Sequence, residues 1–298
     1  MKNLPIVRLK IFFVLIFLYI GFIYTACSTK PDFEDKNYPG ILASDGKVLF
    51  YFNLEKDSLL LNQFLSSYSN DDLSEIIDRT DRLSISIDGF GINSDFDIIA
   101  EGNFPRFFTN FAIDREENWI KHKSNYTFWE NEIDGLYASV PINSVAVISN
   151  SDITSNLKYI ESGKRNYIPD IIKLEFEQSV LTVYSHLPGI EIYESLNIPF
   201  EKMLIQDLFF IVRKDSDDYS ISGVLDFLNE KDAKVFSTAL KLGLLIKLRE
   251  TGKSSILKIV HDGRIDTVTN RIILEGIILN SDEMTELLSG DRVGKQGR

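Results

Sequence analysis

The residues that could act as catalysts are few and widely separated in this chain. Its single cysteine is Cys27, and its three histidines are His122, His186 and His261. The histidines do not have the His-Glu-x-x-His spacing that holds zinc on one helix face, and no Gly-x-Ser-x-Gly nucleophile elbow occurs. Because catalysis needs a nucleophile or a pair of tunable acids and bases in one place, the sequence predicts no enzyme, no metal and no cofactor.

One segment combines residue types that suit a binding surface. Residues 119–129 contain both tryptophans, Trp119 and Trp129, together with Lys121 and Lys123, in a chain that is otherwise acidic. Aromatic rings beside cations are common in protein interfaces and in sugar platforms. The sequence therefore makes Trp119, Lys121, Lys123 and Trp129 candidates for binding a partner.

The same segment also has a purely structural interpretation. Trp119 would then close a helix, while Tyr126 and Phe128 would lie on one face of a strand and Trp129 on the other. The two interpretations differ most clearly at Trp119, since a core residue is fully buried and a binding residue is partly exposed.

The N-terminus has the composition of an export signal. A basic start precedes an unbroken apolar run over residues 11–23, and small residues lead to Cys27. This order predicts a secretory signal peptide over residues 1–26. The alternatives are a chain that is not exported and an uncleaved membrane-spanning helix. Such a helix needs about 20 apolar residues, whereas residues 11–26 supply 16.

The residues around Cys27 resemble a lipid-attachment signal. Thr25-Ala26 before Cys27 is similar to the lipobox of bacterial lipoproteins, and Tyr24 in place of the usual Leu is similar to the relaxed lipoboxes of spirochaetes. The resemblance implies that Cys27 begins the mature chain and carries palmitate or other acyl chains. It also implies a protein that faces the periplasm or the cell exterior from a membrane of the bacterial envelope. An acylated thiol is not available for a disulfide, a metal or nucleophilic catalysis.

The mature chain is strongly acidic. Removing Lys2, Arg8 and Lys10 from the 32 basic residues leaves 29 against 44 acidic ones, a net charge of −15. This charge disfavours nucleic acid, whose phosphates need basic contacts, and close contact with anionic lipid headgroups. Apolar content of 44% is typical of a globular protein. The expected partners are a membrane, through the lipid on Cys27, and another protein.

The chain divides into a tether, two folded parts and a tail. Residues 27–41 contain prolines and charges without an apolar period, which is typical of a flexible tether. Folded parts are predicted over residues 42–168 and 169–290. The polar, Gly-rich residues 291–298 are expected to be disordered.

The two folded parts resemble each other weakly. Four segments of the first part recur in the same order in the second, at offsets of 123 to 132 residues. The clearest pair is 147–152 and 277–282, in which a strand runs into Asn-Ser-Asp at a predicted helix start. The other pairs are 48–52 with 180–184, 82–87 with 207–212, and 96–104 with 219–227.

Each part is predicted to contain hairpins with helices between them. The first part has a helix that begins at Pro105 and a hairpin over 126–149, and the second has a hairpin turn at 214–218 and a long helix over 230–249. This arrangement indicates an α+β fold of two tandem repeats, each an antiparallel sheet with helices packed on one side. The strand-to-helix phrases at 100–105 and 224–227 resemble those in exported bacterial proteins of unknown function built from similar repeats.

Three functions fit these observations. The first is a non-catalytic, lipid-anchored envelope protein that binds a protein partner or has a structural role. The alternative is a carrier or sensor of a small apolar or lipid ligand, which the 21 phenylalanines would suit. The third is an envelope hydrolase that acts on cell-wall sugars through a pair of carboxylates.

Overall fold

The computed structural model describes residues 38–65, 78–88, 94–163, 166–188 and 205–288. The strands of these ranges are β1 (Val48–Asn53), β2 (Thr80–Asp88), β3 (Asp95–Gly102), β4 (Trp119–Lys123), β5 (Thr127–Asn131), β6 (Leu136–Ile142), β7 (Val145–Ser149), β8 (Leu181–His186), β9 (Ile205–Asp215), β10 (Asp218–Phe227), β11 (Arg264–Val268) and β12 (Arg271–Asn280). The helices are α1 (Pro39–Leu42), α2 (Ser58–Leu65), α3 (Arg106–Ile113), α4 (Thr154–Ser162), α5 (Asp170–Gln178), α6 (Glu230–Thr251), α7 (Ser254–His261) and α8 (Ser281–Leu288). The predicted signal peptide, Cys27 and the predicted tail lie outside the described residues.

All twelve strands belong to one open antiparallel sheet, in the order β11-β12-β10-β9-β8-β1-β2-β3-β7-β6-β5-β4. Most neighbours in the sheet are strands that are consecutive in the sequence, and five of these pairs are joined by short turns. Between β9 and β10 the chain reverses at Ser216, which has a φ of +57° and lies inside the turn predicted at 214–218. An antiparallel sheet with helices between its hairpins confirms the predicted α+β class.

β1 and β8 join the two predicted parts at the middle of the sheet. Leu49 pairs with Tyr184 and Phe52 with Leu181, so the parts share one sheet and do not form one sheet each. Outward from β1 the order is β1-β2-β3-β7-β6, and outward from β8 it is β8-β9-β10-β12-β11. The two sides thus have the same strand order, and β5 and β4 extend the first side alone.

Helices cover both faces of the sheet, which corrects the expectation that they pack on one side. Neighbouring residues of a strand point to opposite faces. The ring of Tyr51 lies 4.5 Å from that of Phe176 in α5, whereas Phe52 belongs to the same core cluster as Leu60 and Leu61 of α2. Because β1 is apolar at five consecutive positions, it can be buried on both faces, as strands between two helical layers are.

The long helix α6 confirms the prediction for residues 230–249 and ends two residues later. The side chain of Asn229 accepts a hydrogen bond from the backbone N–H of Asp232 at 2.9 Å. This bond satisfies one of the free N–H groups at the helix start. Phe236 of this helix is fully buried, so the helix is held to the sheet near its N-terminus.

A buried carboxylate connects the first side of the sheet to the second. Asp57 caps α2 by accepting the backbone N–H of Leu59 at 3.1 Å. Its second oxygen accepts the hydroxyl of Tyr219 at 2.6 Å and lies 3.2 Å from the ammonium of Lys214. Burial raises the pKa of the Tyr219 hydroxyl, so this group remains a neutral donor at physiological pH. The start of α2 is therefore fixed by residues of β9 and β10.

Replacing Tyr219 with phenylalanine keeps the buried ring and removes the bond to Asp57. We expect Tyr219→Phe to lower the free energy of unfolding by about 1.5–3 kcal/mol, the typical range for a hydrogen bond to a charged group. Urea unfolding followed by circular dichroism measures this change. Tyr167→Phe, at a largely exposed tyrosine, is the matched control and should change the free energy by less than about 0.5 kcal/mol. Equal losses in the two variants would contradict the proposed importance of the bond.

Candidate partner-binding site

Residues 119–129 lie in a hairpin at one end of the sheet. Trp119 pairs with Asn131 and Lys121 with Trp129 across β4 and β5. β4 was not predicted from the sequence, and the alternative in which Trp119 closes a helix is wrong, because Trp119 begins this strand. The segment thus forms an edge of the sheet and the turn next to it.

The two tryptophans have different environments. Trp129 is 1% exposed and is among the largest fully buried side chains of the described residues. It therefore supports the hairpin from inside and has almost no surface to offer a partner. Trp119 is half-buried, so part of its surface is open to solvent, as the binding hypothesis requires.

Asp114, the residue that follows α3, connects the helix to the hairpin. One oxygen accepts the indole N–H of Trp129 at 3.0 Å, and the other accepts the ammonium of Lys121 at 2.7 Å. The Lys121 ammonium also lies 4.9 Å from the Trp129 ring centroid, within cation–π distance. The hydrogen bonds from Lys121 and Trp129 hold the pKa of Asp114 below its usual range. Two of these contacts hold Lys121 in place, and the third ties Asp114 to Trp129. The role of Asp114 was not predicted from the sequence.

Helix α3 adds exposed aromatic rings on the same side of the sheet. Phe107 is 74% exposed, Phe108 and Phe111 are each 48% exposed, and α3 has no buried residue. The guanidinium of Arg115 lies 4.1 Å from the Phe111 ring centroid. The sequence predicted this helix but not the importance of its rings, although Phe at positions 107, 108 and 111 forms a stripe along one helix face. Five exposed side chains make up this aromatic-basic face: Phe107, Phe108, Phe111, Lys121 and Lys123.

On the other side of the hairpin, the side chains contact one another. His122 stacks on Phe128 with ring centroids 4.9 Å apart, and its Nε2 lies 2.8 Å from a Glu130 carboxylate oxygen. The Tyr137 hydroxyl donates to the other oxygen of Glu130 at 3.2 Å. Polar and aromatic groups on this side are therefore paired with one another, which leaves the α3 side as the more open surface.

The remaining histidines lie elsewhere in the fold. His186 of β8 has its Nδ1 2.9 Å from the Asp207 carboxylate, which also accepts the Tyr184 hydroxyl at 3.2 Å. His261 is exposed and lies 3.7 Å from Asp262. Spacing in the sequence did not reveal the His186–Asp207 pair, because it depends on the register of β8 and β9. Among the described residues, no group of three or more His, Cys, Asp or Glu side chains is placed to hold a metal ion.

Cys27 lies outside the described residues, so its acylation stays a prediction of the sequence. Within the ranges that the structure describes, no helix is both long enough and apolar enough to span a membrane.

The fold defines a class of protein: an α+β chain built on one open, twelve-stranded antiparallel sheet with helices on both faces. It is similar to TP0453, a protein of Treponema pallidum. Crystal form I of TP0453 aligns with a TM-score of 0.58 and 17% identity over 86% of this chain and 98% of that chain. Crystal form IV aligns with a TM-score of 0.58 and 18% identity over 84% and 96%.

At this level of identity the similarity to TP0453 shows the fold alone. No protein-family model matches the sequence, and no curated protein matches it either.

Removing the charge of Asp114 should loosen the hairpin. In Asp114→Asn the side chain keeps its shape but loses the ion pair with Lys121, and we expect faster amide hydrogen exchange in β4 and β5. Once exchange rates are divided by the intrinsic rate at each pH, the intact chain should also lose protection in β4 and β5 as the pH falls, because a carboxylate with a lowered pKa stabilises the fold above its usual pKa and loses this effect as it is protonated. Mass spectrometry of exchanged peptides measures both. Asp134→Asn, at an exposed acid in the turn after β5, is the control. Equal exchange in the two variants would contradict the role given to Asp114.

Proposed function

We propose that this protein is a non-catalytic binding module of the bacterial cell envelope, anchored in a membrane by lipid on Cys27, and that it binds a protein partner through the aromatic-basic face. The observation that carries this proposal is the exposure of three phenylalanines on α3, the helix whose following residue, Asp114, holds Lys121 of the edge strand. Contiguous exposed apolar surface with a polar rim is typical of protein interaction sites.

The fixed geometry of the site supports the same function. Lys121 is held by Asp114 and by the ring of Trp129, and Trp129 is buried beneath it. Side chains that are already ordered lose less conformational entropy on binding. The face is also basic on a chain whose mature net charge is −15, so it would orient an acidic partner.

We further propose that the two sides of the sheet are tandem repeats. All four sequence matches fall on strands with equivalent places in the two strand orders, such as 48–52 in β1 and 180–184 in β8. The β4–β5 hairpin has no counterpart on the second side, where α7 stands between α6 and β11. Since a duplicated scaffold does not need this difference for packing, the hairpin is the element that we expect function to have added.

The lipid anchor is tested by a single substitution. Cys27→Ala removes the only thiol of the chain, so cells fed a clickable palmitate should label the wild-type protein and not the variant, which should also remain an uncleaved precursor. Ser28→Ala, which alters the next residue and keeps the thiol, should be labelled as the wild type is. Label retained by Cys27→Ala would refute the anchor.

The binding face is tested by cross-linking in the native envelope. A photoreactive benzoylphenylalanine at position 107 should form one discrete adduct, because Phe107 is the most exposed ring of the face. The same group at Tyr167, which is 79% exposed beside α5 on the opposite face, is the matched control and should not give that adduct. Adding Lys123→Glu to the position 107 protein should reduce the adduct. If position 107 gives no adduct, or the one formed at 167, the proposed function is wrong.

A further inference from the structure

We infer that the partner contributes an extended acidic segment, which pairs with β4 as an additional strand of the sheet. This inference rests on the proposed function and specifies the chemistry by which the partner is bound. It follows from the position of β4, from the charges on it and from the way those charges exclude a second copy of the chain.

The first step is the position of β4. It is the last strand of the sheet order, and β5 is its one neighbour among the described strands. The backbone N–H and C=O groups on its outer side therefore have no strand to pair with in the described part of the chain. Adding a strand to such an edge satisfies these groups through main-chain hydrogen bonds, which is a common way to bind extended peptides.

The second step is the charge of the edge. β4 contains Lys121, His122 and Lys123 and no acidic residue. Lys121 is paired with Asp114, whereas the exposed side chain of Lys123 makes no hydrogen bond or ion pair with the described residues. Opposite charges on directly paired positions of neighbouring strands stabilise the pairing, so acidic residues are favoured opposite these lysines.

The third step concerns which strands are excluded. Lysines on an edge strand usually prevent aggregation, because a like strand brings like charges together. An antiparallel pairing of β4 with β4 of a second copy would place Lys121 and Lys123 of both chains near one another. The same lysines do not repel an acidic strand, so the edge discriminates between partners by charge.

The opposite edge of the sheet lacks this property. β11 contains both Arg264 and Asp266, and Arg264 is paired with Glu275 of β12 at 3.3 Å. Helix α6 also contacts β11. The charges of β11 are balanced within the chain, so strand addition driven by charge is expected only at β4.

The alternation of side chains defines the segment further. Lys121 and Lys123 point to the α3 side of the sheet, since Lys121 reaches Asp114, and Ile120, which is 42% exposed, points to the other. A complementary strand has acidic residues at every second position, on the α3 side, and apolar or β-branched residues between them.

The inference is tested with a synthetic peptide of nine residues in which glutamate alternates with valine and threonine. The acidic peptide should bind the full chain and slow amide hydrogen exchange in β4, while a peptide with lysine in place of glutamate should not. Binding should weaken at least about tenfold between about 50 and about 500 mM salt, and at least about tenfold in a Lys121→Glu, Lys123→Glu double variant. Arg264→Glu at the opposite edge is the matched control and should bind like the wild type.

A modified peptide separates strand pairing from plain charge attraction without altering the protein. Methylating alternate backbone nitrogens keeps every charge and removes the N–H groups on one edge. One such peptide is methylated at the odd positions and a second at the even positions. If both bind as well as the unmethylated acidic peptide, no strand is added and the inference is overturned. It is also overturned if vesicles containing phosphatidylglycerol protect β4 and the acidic peptide does not. In either case an adduct formed from position 107 would still support the proposed function, whereas the absence of that adduct would refute the proposed function as well.

Discussion

The antiparallel pairing of β1 with β8 is the constraint on which the rest of the sheet depends. Its ladder continues beyond both strands, since the N–H of Asn53 donates to the carbonyl of Val180 and that of Gly46 to the carbonyl of His186, each at 3.0 Å. Without this pair each side of the sheet would end in a strand that is largely buried on both faces in the complete sheet but open at its edge. Such an edge is a template for aggregation, so the pairing both joins the two sides and covers their most vulnerable strands.

Polar groups buried within the first side fix how its layers fit together. Asp97 of β3 is buried and accepts hydrogen bonds from Ser149 and Asn156 at 2.8 Å and from the ammonium of Lys47 at 3.1 Å. The donors come from β7, from α4 and from the residue that precedes β1. Because an unpaired buried carboxylate is costly, this arrangement favours one position of α4 over the sheet. Asp57 acts similarly between the two sides.

Local patterns predicted what local interactions determine. The capped helix α6, the turn at Ser216 and the hairpin strands all follow from residues close in sequence. The single sheet could not be predicted in this way, because the pairing of β1 with β8 joins positions that are far apart in the sequence. The five apolar residues of β1 nevertheless indicated a strand that is buried on both faces. β4 was missed because its mixture of aromatic and basic residues does not alternate as a half-buried strand does. Asp114 was missed because its partners come together only in the folded hairpin.

The distance along the chain between β1 and β8 also sets an order of events in time. Leu49 and Tyr184 pair across 135 residues. Because a ribosome adds about 5–20 residues per second, β1 is synthesised about 7–27 seconds before β8. During that interval the hairpins of the first side can form, because their partners are already present, but the free side of β1 cannot be covered from within the chain. The nascent protein therefore has a period in which one apolar strand must be shielded by a chaperone or kept unfolded until β8 has been made.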